Sequence, residues 1–149
     1  PYTFGYFDHI ACEKFEGGHV SVGGTFYLGE SLPKAYRGTY LYGNLLSHGI
    51  YKQKIARRDS SYRAGPTEEW IRTNDTWFGT TDLAVGPDGA VYVSDWHDQR
   101  TAHPDPDADW DRSNGRIYRI KGKGVTPKSI RQPTPTVDDL MGADAWRSR

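Results

Sequence analysis

Asp95-Trp96-His97-Asp98 places two carboxylates and an imidazole within four consecutive residues, next to an indole ring. Carboxylate oxygens at that density can bind Ca²⁺ or orient a substrate hydroxyl. Asp95 and Asp98 are therefore candidate metal ligands, and Trp77, Trp96 and His97 are candidate substrate contacts. The competing reading is an Asp that ends a strand and ties neighbouring backbone together. His19 is a candidate general base or ligand, with a satisfied loop histidine as its alternative. Asp82 is either a second catalytic carboxylate or a turn residue bonded to nearby amides. Further on, Asp105, Asp107, Asp109 and Asp111 alternate as oxygen ligands do in cation-binding loops. An EF-hand loop needs Gly at its sixth position and Glu at its twelfth. Trp110 and Arg116 stand there instead, which leaves a looser Ca²⁺ loop or a solvated acidic loop. Arg112 and Arg116 are the cations available to an anionic cofactor, and Arg116 can equally pack in a strand against Tyr or Asp.

The elements that must position these groups follow from an internal repeat. Gly24–Glu30, Gly38–Asn44 and Gly49–Ile55 form one set of short aromatic and β-branched runs; Thr81–Asp88, Gly89–Asp95 and Gly115–Ile120 form a second. Gly, Pro, Asn or Asp bounds each run, as strands require. Residues 61–72 can supply a fourth strand to the first set. Tandem four-stranded antiparallel units are what a β-propeller is made of, and a propeller closes with roughly 4–8 of them. The expected fold is all-β: a partial propeller of about two blades with a short C-terminal helix. Residues 1–18 read as the tail of a preceding blade, 19–72 as the first blade and 73–121 as the second, lacking its outermost strand. Residues 122–136 read as a Pro- and Gly-rich linker, and 137–149 as the start of a helical region capped by Thr136.

Propeller connectivity sorts the loops by parity. His19, His48, Asp82, Asp95 and Asp98 should open at one end of the sheets, while the tight turn Pro87-Asp88-Gly89 and Lys34 should lie at the other. The first end is the expected functional face. In the intact protein Asp82→Asn, Asp95→Asn and His19→Ala are expected to impair ligand binding or turnover without a large loss of stability, and Asp88→Asn to be nearly neutral for activity. Two blades also leave apolar faces uncovered, so dimerisation or aggregation of this piece is expected.

Composition excludes several classes. With 19 basic and 19 acidic residues the chain has no nucleic-acid footprint. It has no apolar run of about 18 residues, so no membrane span is expected. There is no phosphate loop, dinucleotide fingerprint or Gly-x-Ser-x-Gly elbow. Cys12 stands alone, which excludes an internal disulfide and a Cys-x-x-Cys-His haem attachment.

The run Asp75–Asp98, together with Arg112–Ile120, resembles the propeller of the bacterial family called "putative membrane-bound dehydrogenases". Gly17–Gly24 and Tyr27–Gly38 match the preceding blade of that family. Those propellers are similar to soluble quinoprotein glucose/sorbosone dehydrogenases of the six-bladed type. The resemblance implies a quinone-dependent oxidoreductase acting on sugar or alcohol hydroxyls, with pyrroloquinoline quinone (PQQ) and Ca²⁺ as cofactors and a histidine as proton acceptor. It also implies, as partners, the remaining blades, HEAT-type helical repeats and a cytochrome c domain, and a periplasmic or cell-envelope location. A non-catalytic propeller that grips carbohydrate or protein through Trp77, Trp96 and Trp110 is the alternative; a Ca²⁺-dependent lactonase is a third.

Overall fold

The structure, a computed structural model, describes residues 11–12, 20–99 and 113–125. The segment expected to form a helix at 137–149, the linker beyond Val125, the acidic series Asp105–Asp111, and His19, Trp110 and Arg112 lie outside the described residues. Among the described residues nine strands run in chain order: β1 Ala11–Cys12, β2 Ser21–Phe26, β3 Thr39–Asn44, β4 Gly49–Arg58, β5 Ser61–Ala64, β6 Glu68–Arg72, β7 Thr80–Val85, β8 Val91–Asp95 and β9 Arg116–Ile120. One turn of 3₁₀-helix, Lys34–Tyr36, is the helical structure among the described residues. The described residues are thus all-β and almost entirely antiparallel.

Two units reproduce the sequence repeat. In the first, β2, β3 and β4 form an antiparallel meander, and β6 pairs with the far edge of β4. In the second, β7, β8 and β9 repeat the meander. The expected fourth strand of the first unit is present but broken. β4 runs on to Arg58 and folds back as β5, with Ile55 opposite Ala64. The chain then resumes as β6, with Lys52 opposite Glu68. Gly65-Pro66-Thr67 fills the gap, because proline has no amide to donate to the ladder. The Gln53 side-chain amide covers the gap, donating to the Gly65 carbonyl at 3.1 Å and to Thr67 Oγ1 at 2.9 Å. β2 begins at Ser21 rather than Gly24, and its register slips between Val22 and Thr25. Gly23 and Gly24 sit there at φ +59 and +158, a conformation that side chains other than glycine's rarely adopt.

The core lies between the units. β7 packs against β2 and β3, and Tyr27, Leu32, Leu41, Ile50, Phe78, Leu83, Val91 and Val93 form one buried cluster. Along β8 burial alternates: Val91, Val93 and Asp95 are buried while Tyr92 and Ser94 are half-buried. That is the period of two expected of a pleated strand. Burying side chains of this size stabilises by about 1.5–3 kcal/mol each.

Polar ties join the units at the tight-turn end. The fully buried Tyr27 hydroxyl donates to the Gly89 carbonyl at 2.8 Å and accepts from the Leu32 amide at 2.7 Å. Ser31 Oγ donates to the Asp88 carbonyl. Tyr27→Phe removes both bonds of the hydroxyl and leaves a buried amide and carbonyl unpaired. The expected loss is about 2–4 kcal/mol, read as a lower urea midpoint at unchanged slope.

Candidate functional site

At the opposite end, the Asp95 carboxylate organises the loop that follows β8. It is 4% exposed, and its Oδ1 accepts from the Gly79 amide at 2.9 Å and the His97 amide at 2.9 Å. The loop ahead of β7 is thereby fastened to the loop after β8, helped by Trp96 N–H to the Gly79 carbonyl (2.8 Å) and Asp98 N–H to the Trp77 carbonyl (3.0 Å). Asp75 Oδ1 accepts from the Trp77 amide at 3.0 Å, the local Asp turn its residue type favours. Asn44 holds the same place in the first unit, where its Oδ1 accepts from the Leu46 and Ser47 amides at 3.0 Å each. Both strand-ending residues are therefore turn organisers before they are anything else.

Around Asp95 Oδ2 gather one imidazole and one guanidinium. His97 Nδ1 is 3.6 Å from Asp95 Oδ2 and 3.7 Å from Asp75 Oδ2. Arg116 Nη1 lies 3.9 Å from Asp95 and 4.0 Å from Asp75, and donates to His97 Nδ1. Two carboxylates and one guanidinium thus converge on a single ring nitrogen of His97. Trp77 packs on the His97 ring at a centroid distance of 5.6 Å. His48, from the first unit, reaches the same loop and bonds the Phe78 carbonyl through Nδ1 at 2.8 Å. A carbonyl only accepts, so His48 carries its proton on Nδ1 and keeps Nε2 as a base. Both histidines sit at positive φ, +54 and +52, in corresponding loops of the two units. The arrangement offers two imidazoles, His48 with Nε2 as a base, both held by backbone that non-glycine residues seldom adopt.

The other expected site residues are placed as follows. Asp82 is exposed, and its Oδ1 accepts from the adjacent Leu83 amide at 2.8 Å, the turn-residue reading of this side chain. It stands opposite Ser94, next along the ladder from the Thr80–Asp95 pair. Trp96 is about half exposed, and Asp98 is buried beside His97. The Ca²⁺ donor set expected at Asp95 and Asp98 is not assembled: among the described residues no three acidic, histidine or cysteine side chains converge as a metal site. Asp95 spends one oxygen on two amides and turns the other toward a guanidinium, whereas Ca²⁺ takes 6–8 oxygens. Arg116 faces the Asp75 and Asp95 carboxylates, the packing against Asp that is its alternative reading. Two residues of this site were not singled out for chemistry by the sequence: Asp75, and His48, which was placed on this face by loop parity alone. The signal for Asp75 was its position two residues before Trp77, the spacing of an Asp turn.

Asp88 lies at the far end with the tight turn, where Gly89 takes φ +72. Its Oδ2 accepts from Arg119 Nε at 2.7 Å, and Oδ1 from the Ala90 amide at 3.1 Å. Burial alone would raise its pKa, but the Ala90 amide, Arg119 and Tyr92 together hold it below its ordinary 3.8. A carboxylate depressed in the fold contributes stability above its unfolded pKa and loses it as pH falls through the folded one. Urea midpoints measured downward from pH 5 should therefore fall more steeply for the parent chain than for Asp88→Asn.

These features define an all-β protein of consecutive antiparallel units, with imidazoles, carboxylates and an arginine fixed on the loops at one end. Residues 9–124 match the model of a domain of unknown function, DUF7133, and the chain belongs to that family. Comparison with curated proteins finds no match. Among solved structures the chain is similar to a "putative oxidoreductase (glucose dehydrogenase)" from Thermus thermophilus, with a TM-score of 0.41 and 19% identity. That similarity covers 56% of this chain and 22% of the other, so the chain spans about a fifth of that structure's length.

Proposed function

We propose that the two units are adjacent blades of a larger β-propeller whose loop face serves an oxidoreductase of the glucose/sorbosone dehydrogenase-like class, acting on sugar or alcohol hydroxyls. The observation that carries the reading is the loop histidine His48, tied through Nδ1 to the Phe78 carbonyl beside the Asp95 loop. Oxidising a hydroxyl requires a base to take its proton, and His48 Nε2 keeps a lone pair for that task. Trp77 and Trp96 supply aromatic surface for a sugar ring. The resemblance of Asp75–Asp98 and Arg112–Ile120 to dehydrogenase propellers supports the same class. PQQ, when bound, would accept the hydride equivalent; the described residues build no complete Ca²⁺ cradle, so no step is routed through either group. The family resemblance would place the protein in the periplasm or cell envelope, with helical repeats and a cytochrome c domain as partners.

The test is reconstitution of the full-length protein with PQQ and Ca²⁺, followed by dye reduction across a panel of sugars and alcohols. Turnover that is lost in His48→Ala, with the fold intact by circular dichroism, supports the reading. Absence of both quinone binding and turnover would instead favour a propeller that grips carbohydrate or protein without chemistry. The exposed Trp96 and the half-buried Trp77 give that second reading its surface.

A further inference from the structure

β4 outruns the repeat. Asn44 ends β3 opposite Gly49, and Asp95 ends β8 opposite Arg116, so Gly49 corresponds to Arg116. β9 stops at Ile120, the counterpart of Gln53, whereas β4 continues through Lys54–Arg58 and returns as β5. The added hairpin gives no residue to the buried cluster, and Ser61, Tyr62 and Arg63 of β5 are exposed. Strand rise sets Arg58 about 30 Å from Gly49, away from the loop face. Its exposed residues thus serve neither the core nor that face.

They are basic. Lys54, Arg57, Arg58 and Arg63 stand against Asp59 alone, in a chain whose formal net charge is zero. Elsewhere the arginines are paired: Arg37, Arg72, Arg116 and Arg119 each lie within 4.0 Å of a carboxylate. Lys54, Arg57 and Arg58 have no carboxylate that close among the described residues. The register sorts these cations. Ala56 lies opposite Arg63, and Arg57 opposite Tyr62. Directly opposed side chains share a face, and neighbours along a strand alternate. Lys54, Arg58 and Arg63 therefore share one face, with Arg63 beside the small Ala56; Arg57 and Tyr62 take the other. Two-residue steps space the three cations roughly 7 Å apart along the strand. At its inner end this face meets a recess of about 270 Å³ lined by Tyr36, Thr39, Lys52 and Lys54.

We propose that this face is a docking strip for an acidic segment of a partner protein, held extended with carboxylates at alternate residues. An extended segment repeats its side chains every second residue, which is the spacing of Lys54, Arg63 and Arg58. Arginine takes a carboxylate through two parallel N–H donors, and it is enriched among the few residues that carry a protein contact. The recess gives the end of such a segment a seat. An anionic membrane is read by clusters of about 4–8 cations, and nucleic acid by a wider basic stripe; this face has three. Like charges also oppose the pairing of two copies of the hairpin. This proposal stands apart from what the loop face binds.

Fluorescence anisotropy on the full-length protein tests it, with a labelled peptide of alternating Glu and Thr as the probe. A peptide of the same composition with its Glu in one block should bind more weakly. Lys54→Gln/Arg58→Gln/Arg63→Gln should weaken binding of the alternating peptide on the order of tenfold, since three exposed ion pairs are lost. Arg57→Gln, on the other face, should bind as the parent does. Equal losses from Arg57→Gln and Arg58→Gln, equal affinity for the two peptides, or no binding by the parent would overturn the proposal. So would tighter binding through the same three residues to duplex DNA or to phosphatidylserine vesicles. Thermal melts check that each variant is folded; if the triple variant is not, the comparison of Arg57→Gln with Arg58→Gln still decides.

Discussion

Asp95→Ala should be among the most damaging single substitutions in the described part of the chain, lowering stability by about 3–5 kcal/mol. Three losses combine. The Gly79 and His97 amides both lose their acceptor, and both lie in buried backbone. The Arg116 guanidinium and the His97 ring lose the carboxylate between them. His97, held at φ +52 by that amide bond, loses what keeps it in a costly conformation. Asp95→Asn keeps an oxygen for the two amides and removes only the charge, so about half the loss is expected. Urea denaturation of both variants checks the ordering; equal midpoints for Ala and parent would mean the carboxylate does not organise this loop. The burial and amide bonds of Asp95 weigh against the expectation that Asp95→Asn costs little stability, and the urea midpoints decide between the two. Its residue type suggested chemistry, and its burial makes it structural.

What the sequence made legible was the period, not the ties. Gly38 and Gly89 recur at matching places and take φ +80 and +72, so the same turn chemistry recurs before β3 and β8. Alternating burial along β8 follows from Val91-Tyr-Val93. The ends of the strands followed from loop parity: His48 meets Phe78 near Asp95, and Asp88 sits with Tyr27 and Ser31 at the other end. The long-range partners were not legible. Nothing local in Asp88 or Arg119 names the other, since their pairing depends on β8 and β9 lying in one register. The interruption of the fourth strand at Gly65-Pro66-Thr67 was signalled by the proline, but that β4 would run on to Arg58 and build a separate hairpin was not. That extension depends on β5 returning along the same edge. Nor was the use of the Asp95 oxygens legible: spacing brings Asp95 and Asp98 close in sequence, while the Gly79 and His97 amides take Asp95 Oδ1.

Gly43→Val should separate the two units and cost about 3 kcal/mol or more. Gly43 is the penultimate residue of β3, within its paired ladder, where glycine normally weakens a strand, so a reason for it is needed. The reason is the neighbour: a β-carbon there would stand 2.1 Å from Thr80 Cγ2 and 2.6 Å from Thr80 Cβ. β3 and β7 can approach this closely because one of the facing residues has no side chain. Alanine already overlaps Thr80, and valine adds methyl groups that must push β7 off the core around Leu41, Ile50, Leu83 and Val93. Thr80 also makes the double-mutant cycle clean. Its hydroxyl is buried and finds no hydrogen-bond partner among the described residues, so truncating it sacrifices no polar contact seen there. Thr80→Gly should therefore suppress much of the Gly43→Ala penalty, giving an interaction energy of about 1–3 kcal/mol between the two sites. Strict additivity would show that the units are not held together through this contact. The same variant has a consequence at the loop face. Thr80 pairs with Asp95, and His48 reaches across the same junction to Phe78. Driving β7 away from β3 should then release the His48 Nδ1 bond, which a change in the His48 ring resonances by NMR would report.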